Sequence, residues 1–167
     1  AFTVKANNGR LPADVVVCSQ YKKYKTVSNY DYVEGMCFWT KNGDRQVINY
    51  PKIHYDNGVS KHENSSEWYK PVVRLFKNSR GNISGDITPS YFLECMLHNV
   101  PDSKFGTSYG DTFCNVINWL NETDLDNLVC QNGQSKLFGL SQEQWDTNQA
   151  KVTIKNLISF WNNWNKG

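Results

Sequence analysis

The hydrophobic periodicity of this chain changes near residue 50, and that change limits the folds open to it. Before this point, apolar residues alternate in short runs, such as residues 1–6, which are followed by an Asn-Asn-Gly turn signal. Residues 32–40 and 45–50 form a second hairpin candidate, in which Asn42-Gly43 suits a type I′ turn. After residue 66, apolar residues recur with the helical period of 3.6.

Four helical segments are predicted in the second part of the chain. They cover residues 67–80, 88–100, 110–121 and 147–164, and Ser141-Gln142-Glu143-Gln144 resembles a helix-capping box. Residues 51–66 are polar and rich in turn formers, so we predict a surface loop there. Strands followed by helices indicate an α+β fold. We expect antiparallel β-hairpins in residues 1–50 and a helical bundle in residues 51–167, together forming one compact unit.

The composition sets broad limits on function. A chain of 167 residues is long enough for one hydrophobic core and too short for two comfortable domains. Six Trp, nine Tyr and eight Phe favour a packed globular domain over a disordered chain. The formal net charge of +2 is too small to indicate nucleic-acid or membrane binding by itself. No stretch reaches transmembrane length, so we expect no membrane partner.

The cysteines favour a reducing compartment. Five of them are scattered through the chain, and no two are spaced as C-x-x-C: Cys18, Cys37, Cys95, Cys114 and Cys130. This pattern predicts reduced, partly buried thiols in a cytoplasmic protein. The alternative is a secreted domain, glycosylated at its three N-x-S/T sequons, which would contain at least two disulfides.

The segment ITPSYFLECMLHNVP (87–101) combines an apolar helix with a polar start. Thr88 can cap a helix, and Pro89 suits the first helical position because its missing N–H would be unpaired there. Ser90 and Tyr91 then lie in the first turn, where free N–H groups and the helix dipole favour an anion. The segment either fills a core only or also binds a phosphate.

A basic stripe precedes this segment. Lys70, Arg74 and Lys77 lie at i, i+4 and i+7 of the predicted helix, with Arg80 close by. A solvated helix face is one explanation. The other is that a lysine of the stripe shares an anion with the Ser90 hydroxyl and the free amides, since lysine suits phosphate as a compact point charge.

Asp14 is a carboxylate inside the apolar strand PADVVVC. A carboxylate on a strand can bind Mg²⁺ that is shared with substrate phosphates. Equally, Asp14 could lie at the frayed start of the strand and contact only water. The other candidates are weaker, because the three histidines show no metal-ligand spacing and Glu94 is expected to pair with a neighbouring base or to reach water.

Four stretches resemble, in the same order, the second half of the bacterial CD-NTases, relatives of cyclic GMP-AMP synthase and oligoadenylate synthase with a polymerase-β-like core. They are ADVVVC, INYPKIHYDNGVSK, WYKPVVRLFKNSRG and PSYFLECMLHNVP. Enzymes of that family use three carboxylates to hold two Mg²⁺ ions, which activate a ribose hydroxyl to attack the α-phosphate of a nucleotide.

The resemblance implies a role for each candidate residue. Asp14 would be the third carboxylate, both catalytic and metal-binding. Lys77 and Ser90 would hold the triphosphate, Arg74 would be a further phosphate partner, and Tyr91 would stack on the base. The implied function is synthesis of a cyclic di- or oligonucleotide second messenger from ATP, GTP or other NTPs, in the cytoplasm and in antiphage defence.

The family's Gly-Ser loop and first Asp-x-Asp do not precede Asp14 in this sequence. We therefore expect the chain to be the C-terminal portion of a longer enzyme, inactive without the N-terminal half. Exposed sheet edges would favour self-association of such a portion. The alternative function, from another class, is a non-catalytic module that binds nucleotide or RNA through the basic stripe.

Overall fold

The computed structural model of the chain describes residues 2–9, 11–27, 30–41, 43–83 and 88–164. Antiparallel strands come first and helices follow, which confirms the predicted α+β fold. The chain divides into two compact units, Ala1–Lys52 and Ile53–Gly167. No helix within the described ranges is both long enough and apolar enough to cross a bilayer.

Short antiparallel strands make up the sheets of the first unit. A two-stranded sheet and a three-stranded sheet, the latter in the order β3-β4-β5, are formed by β1 (Phe2–Val4), β2 (Ala13–Val15), β3 (Ser19–Tyr24), β4 (Tyr32–Trp39) and β5 (Gln46–Asn49). The β1–β2 and β4–β5 pairs confirm the two predicted hairpins. Asn42, in the predicted type I′ turn, lies outside the described residues.

Gly35 lies within β4 at a position where a side chain would have no space. A Cβ atom there would lie 2.8 Å from the main-chain oxygen of Asn49 and 2.9 Å from the ring of Tyr50. The Tyr50 ring also packs edge-on against Tyr21 of β3, with 6.3 Å between the ring centroids. Glycine therefore allows the tyrosine to cover the middle strand.

Helices build the second part of the chain. Two 3₁₀ turns, at Asp102–Lys104 and Leu125–Asn127, accompany α1 (Pro51–Asn64), α2 (Tyr69–Gly81), α3 (Ser90–Asn99), α4 (Tyr109–Glu122) and α5 (Thr147–Trp164). The last four agree with the predicted helices to within a few residues. Buried side chains of α2 to α5 form one hydrophobic core, joined by apolar residues of the segment between α4 and α5.

Stacked aromatic rings connect three helices in this core. Phe76 of α2 stacks on Phe113 of α4 at 4.5 Å between centroids, and Phe113 stacks on Trp161 of α5 at 4.6 Å. Such pairs add to the free energy gained by burial alone. Trp161 therefore packs against the core, as the apolar stripe of α5 predicts, whereas Trp164 at the end of that stripe is exposed.

The prediction of a surface loop over residues 51–66 is wrong, because most of this segment is helix α1. Pro51 is the first helical residue, a position that tolerates proline. Asp56-Asn57-Gly58 has the composition of a turn, but here it lies inside the helix. Gly58 is buried, and a Cβ atom there would lie 2.6 Å from the Gln131 amide nitrogen. Packing against Gln131 explains the glycine better than a turn does.

The predicted capping box at 141–144 does not begin a helix. The Gln144 amide accepts from the Ser141 main-chain N–H at 3.2 Å and donates to the main-chain oxygen of Phe138 at 3.1 Å, so it closes a turn. Helix α5 starts at Thr147, and Asp146 caps it by accepting from the main-chain N–H of Gln149 at 2.9 Å.

Gly35→Ala should lower the free energy of unfolding by about 1–3 kcal/mol, because the added methyl group overlaps a main-chain oxygen and an aromatic ring. Gly81→Ala is the matched control. Gly81 ends α2, and apart from its chain neighbours and the nearby helix backbone, no described atom lies within 4 Å of the position that a methyl group would take there. Alanine should therefore be neutral or slightly stabilising. Urea unfolding followed by circular dichroism measures both, and equal stability of the two variants would contradict the close packing at β4.

Candidate functional site

The first turn of α3 is open to a ligand. Pro89 occupies the N-cap position with φ −63° and ψ 141°, no side chain of the described residues caps the turn, and Ser90 is the first helical residue. Thr88 does not act as the predicted cap. It is buried, and its hydroxyl lies 2.5 Å from the Thr153 hydroxyl of α5. The start of α3 therefore has no side-chain cap from this part of the chain, as an anion site requires.

Arg80 brings a positive charge to this turn. Its Nη2 donates to the Ser90 hydroxyl at 3.2 Å, and its Nη1 donates to the main-chain oxygen of Thr88. From the sequence, Arg80 is recognised only as a residue close to the basic stripe, three positions after Lys77. The structure shows that the guanidinium connects the end of α2 with the start of α3.

Lys77 does not project freely into solvent. Its Nζ lies 2.6 Å from Oε2 of Glu94, one helical turn after Ser90, and the other oxygen of Glu94 lies 3.5 Å from Nε2 of His54. The hydrogen bond from His54, together with the bond and charge of Lys77, lowers the pKa of Glu94 to about 2. Of the two outcomes expected for Glu94, pairing with a neighbouring base is the one observed, and His54 is a second partner.

Tyr91 presents an aromatic surface beside this ion pair. Its ring stacks on the ring of His54 with 5.5 Å between centroids and 24° between planes, and 40% of the residue surface is exposed. The hydroxyl lies against the thiols of Cys95 and Cys130, and burial raises the pKa of Tyr91. Asn132 also donates to this hydroxyl at 3.4 Å. The hydroxyl is thus anchored while part of the residue stays accessible.

The other members of the basic stripe play no part in these contacts. Arg74 is exposed and makes no ion pair or side-chain hydrogen bond with the described residues, and the Lys70 side chain is likewise exposed. Within the second unit, Ser90 and Tyr91 begin α3, and Lys77 of α2 reaches the same helix through Glu94. The role predicted for Arg74 stays a prediction.

Asp14 lies in β2 of the first unit and is exposed. Its carboxylate accepts a hydrogen bond from the Thr3 hydroxyl at 2.8 Å. Throughout the described ranges, no group of three or more His, Cys, Asp or Glu side chains is arranged to hold a metal ion. The carboxylates that two Mg²⁺ ions require are therefore not gathered around Asp14 by the described residues.

Asp124 and Asp126 have local structural roles. Asp124 accepts from the main-chain N–H of Asp126 at 3.2 Å and from the Asn127 amide at 2.6 Å. Asp126 accepts from the Thr147 hydroxyl at 2.8 Å, at the start of α5. The pair stabilises the connection between α4 and α5.

Residues 56–162 match the family described as the cGAS/DncV-like nucleotidyltransferase C-terminal helical domain. The match covers more than half of the chain, and the chain belongs to this family. The resemblance to the CD-NTases is therefore confirmed.

Relatives with known activities are similar over nearly the whole chain. A cyclic UMP-AMP synthase of Rhodothermus marinus (strain SG0.5JP17-172) is 50% identical over 169 aligned residues, which span 97% of this chain and 59% of that protein. A cyclic nucleotide synthase of Staphylococcus haemolyticus is 37% identical, spanning 91% of this chain and 55% of the relative.

Solved structures show the same fold. The c-UMP-AMP synthase of Rhodothermus marinus, determined with Apcpp and Upnpp, gives a TM-score of 0.90 at 49% identity and covers 99% of this chain and 58% of that one. The chain thus spans between 55% and 59% of the length of these relatives.

Glu94→Gln should lower the free energy of unfolding by about 1–2 kcal/mol at pH 7, because it removes the charge that pairs with Lys77. The pKa of Glu94 is about 2 in the folded protein against 4.5 ordinarily, so the stabilisation is complete above about pH 4.5 and disappears as the pH falls through 2. The difference between wild type and variant in urea midpoint should therefore shrink from pH 7 to pH 3.5.

Glu63→Gln is the control for this pH dependence. Glu63 is exposed on α1, so its replacement should change the urea midpoint little at either pH. A Glu94→Gln difference that stays constant across this pH range would contradict a lowered pKa of Glu94 in the folded protein.

Proposed function

We propose that this chain belongs to a nucleotidyltransferase that makes a cyclic di- or oligonucleotide second messenger from nucleoside triphosphates, the kind of activity for which its relatives are named. One observation carries the proposal. The uncapped start of α3 carries the Ser90 hydroxyl and the Tyr91 ring, and Glu94 of the same helix binds the Lys77 ammonium of α2. A triphosphate and a base require such donors and such a ring.

The phosphate end of the nucleotide is assigned to Lys77, Ser90 and the open N–H groups of α3. Lys77 can keep its bond to Glu94 while its remaining N–H groups donate to a phosphate oxygen. The dipole of α3 adds to the attraction for an anion. Arg74 is proposed as an outer phosphate partner, because its exposed guanidinium follows the same face of α2 as Lys77.

The base end is assigned to Tyr91. Any of the bases can stack on an aromatic ring, since each base has a π-face. Such a contact supplies affinity, and the selection among bases requires hydrogen bonds made elsewhere.

Asp14 is proposed as one of the carboxylates that bind Mg²⁺. Its exposed position in a short strand leaves one oxygen beyond the Thr3 bond for a metal. The described residues do not gather the further carboxylates, so we expect no product from this chain alone. A cytoplasmic location and a role in antiphage signalling complete the proposal.

Lys77→Ala, in the protein expressed from the complete natural gene, should weaken binding of a non-hydrolysable NTP analogue by about 10–100-fold, since a charge-assisted hydrogen bond is lost. Ser90→Ala should have a smaller effect in the same direction. Lys70→Ala is the control, because Lys70 is an exposed lysine of the same helix and its replacement should leave affinity unchanged. Calorimetric titration measures all three, and equal affinities for Lys77→Ala and Lys70→Ala would remove Lys77 from the site.

Asp14→Asn should abolish formation of the cyclic product, by at least about 100-fold, while the folded protein still binds the NTP analogue. Asp44→Asn is the matched control. Asp44 is also an exposed carboxylate of the first unit that accepts from a threonine hydroxyl, that of Thr40. Product is measured by chromatography of the nucleotides, and unchanged synthesis by Asp14→Asn would exclude a role in metal binding.

A further inference from the structure

We propose that His54 is a positioning residue that holds Tyr91 as the platform for a nucleotide base, and that Glu94 joins this platform to Lys77. The inference deepens the proposed function and rests on it. His54 shows no metal-ligand spacing in the sequence, and no role in the site follows from the sequence alone. In the structure, its imidazole contacts both Tyr91 and Glu94, and these contacts assign it a role.

The rings of His54 and Tyr91 are arranged as a stacked pair. The centroid distance of 5.5 Å and the interplanar angle of 24° lie within the range of favourable offset stacking. Two other side chains also contact Tyr91 and restrict its ring. Phe92 packs edge-on against it at 5.8 Å, and Asn132 donates to its hydroxyl. His54 therefore supports a ring whose exposed part is left for a ligand.

His54 is itself fixed at both its main chain and its side chain. The buried Gln131 amide donates to the His54 main-chain oxygen at 2.7 Å. Nε2 of the ring reaches Glu94, whereas Nδ1 is buried without a hydrogen-bond partner among the described residues. Since only Nε2 has a partner there, Glu94 determines the orientation of the imidazole. Because the ring is already fixed, the protein loses little conformational entropy when a ligand binds above it.

Glu94 connects the two ends of the proposed nucleotide site. One carboxylate oxygen contacts His54, which supports the base platform, and the other contacts Lys77, which is assigned to the phosphates. Glu94 also lies three residues after Tyr91, on the same face of α3. One carboxylate thus sets the positions of the aromatic ring and of the ammonium group together.

The test compares a ligand that has a base with one that has none. In the protein from the complete natural gene, His54→Ala should weaken binding of a non-hydrolysable NTP analogue about 3–10-fold, the loss of one stacking contact. Binding of inorganic tripolyphosphate, which has no base, should change less than about twofold. Lys77→Ala should weaken both probes.

Two further substitutions separate the functions of the imidazole. His54→Phe keeps an aromatic plane against Tyr91 and should restore most of the NTP affinity. His54→Gln keeps an N–H donor for Glu94 without a ring and should not restore it. Thermal unfolding of each variant is recorded beside the titrations.

The outcomes distinguish this inference from the proposed function. Equal losses for both probes in His54→Ala, accompanied by a lower melting temperature, would show a structural role and overturn the inference. Restoration by His54→Gln but not by His54→Phe would overturn the stacking role. Wild-type protein that binds the NTP analogue no more tightly than tripolyphosphate would refute base binding at Tyr91, and wild-type protein that binds neither probe would refute the proposed function itself.

Discussion

Gln131 connects three helices of the second unit, and the positions of the site residues depend on it. It is 2% exposed, and its amide accepts from the Tyr69 hydroxyl at 2.6 Å and donates to the main-chain oxygen of His54 at 2.7 Å. Its main chain accepts from the Asn57 amide at 2.7 Å and donates to the Cys95 thiol at 3.3 Å. A buried amide is costly unless its hydrogen bonds are made, so this residue holds α1, α2 and α3 in one arrangement.

The candidate site follows from that arrangement. With α1 held against Gln131, the ring of His54 reaches Glu94 of α3, and Lys77 of α2 reaches the other oxygen of the same carboxylate. The ion pair between Lys77 and Glu94 is partly buried. Besides its effect on stability, it fixes the position of the Lys77 ammonium relative to α3. Tyr91 gains its support from the same contacts.

Periodicity and composition predicted the fold class, the β1–β2 and β4–β5 pairs and four of the five helices in the described part of the chain, because each of these elements has a continuous apolar pattern. They did not predict the β3–β4 pair. They could not predict α1. Its Asp-Asn-Gly tripeptide is a turn signal locally, yet Gly58 is needed where the Gln131 amide approaches within 2.6 Å of a Cβ position. Local composition gave the opposite prediction because the determining partner lies more than seventy residues away in sequence.

Local patterns in the chain were enough to show that Ser90 and Tyr91 open a helix, that Lys77 lies on a basic face of the preceding one, and that Asp14 is carried by a strand. Proline placement, helical spacing and alternation are properties of neighbouring residues, so they can be recognised without a structure. The contacts of Glu94 with Lys77 and His54, and of His54 with Tyr91, became known only from the folded chain. They depend on the packing of α1 and α3, which the burial of Gln131 fixes and which no local pattern encodes.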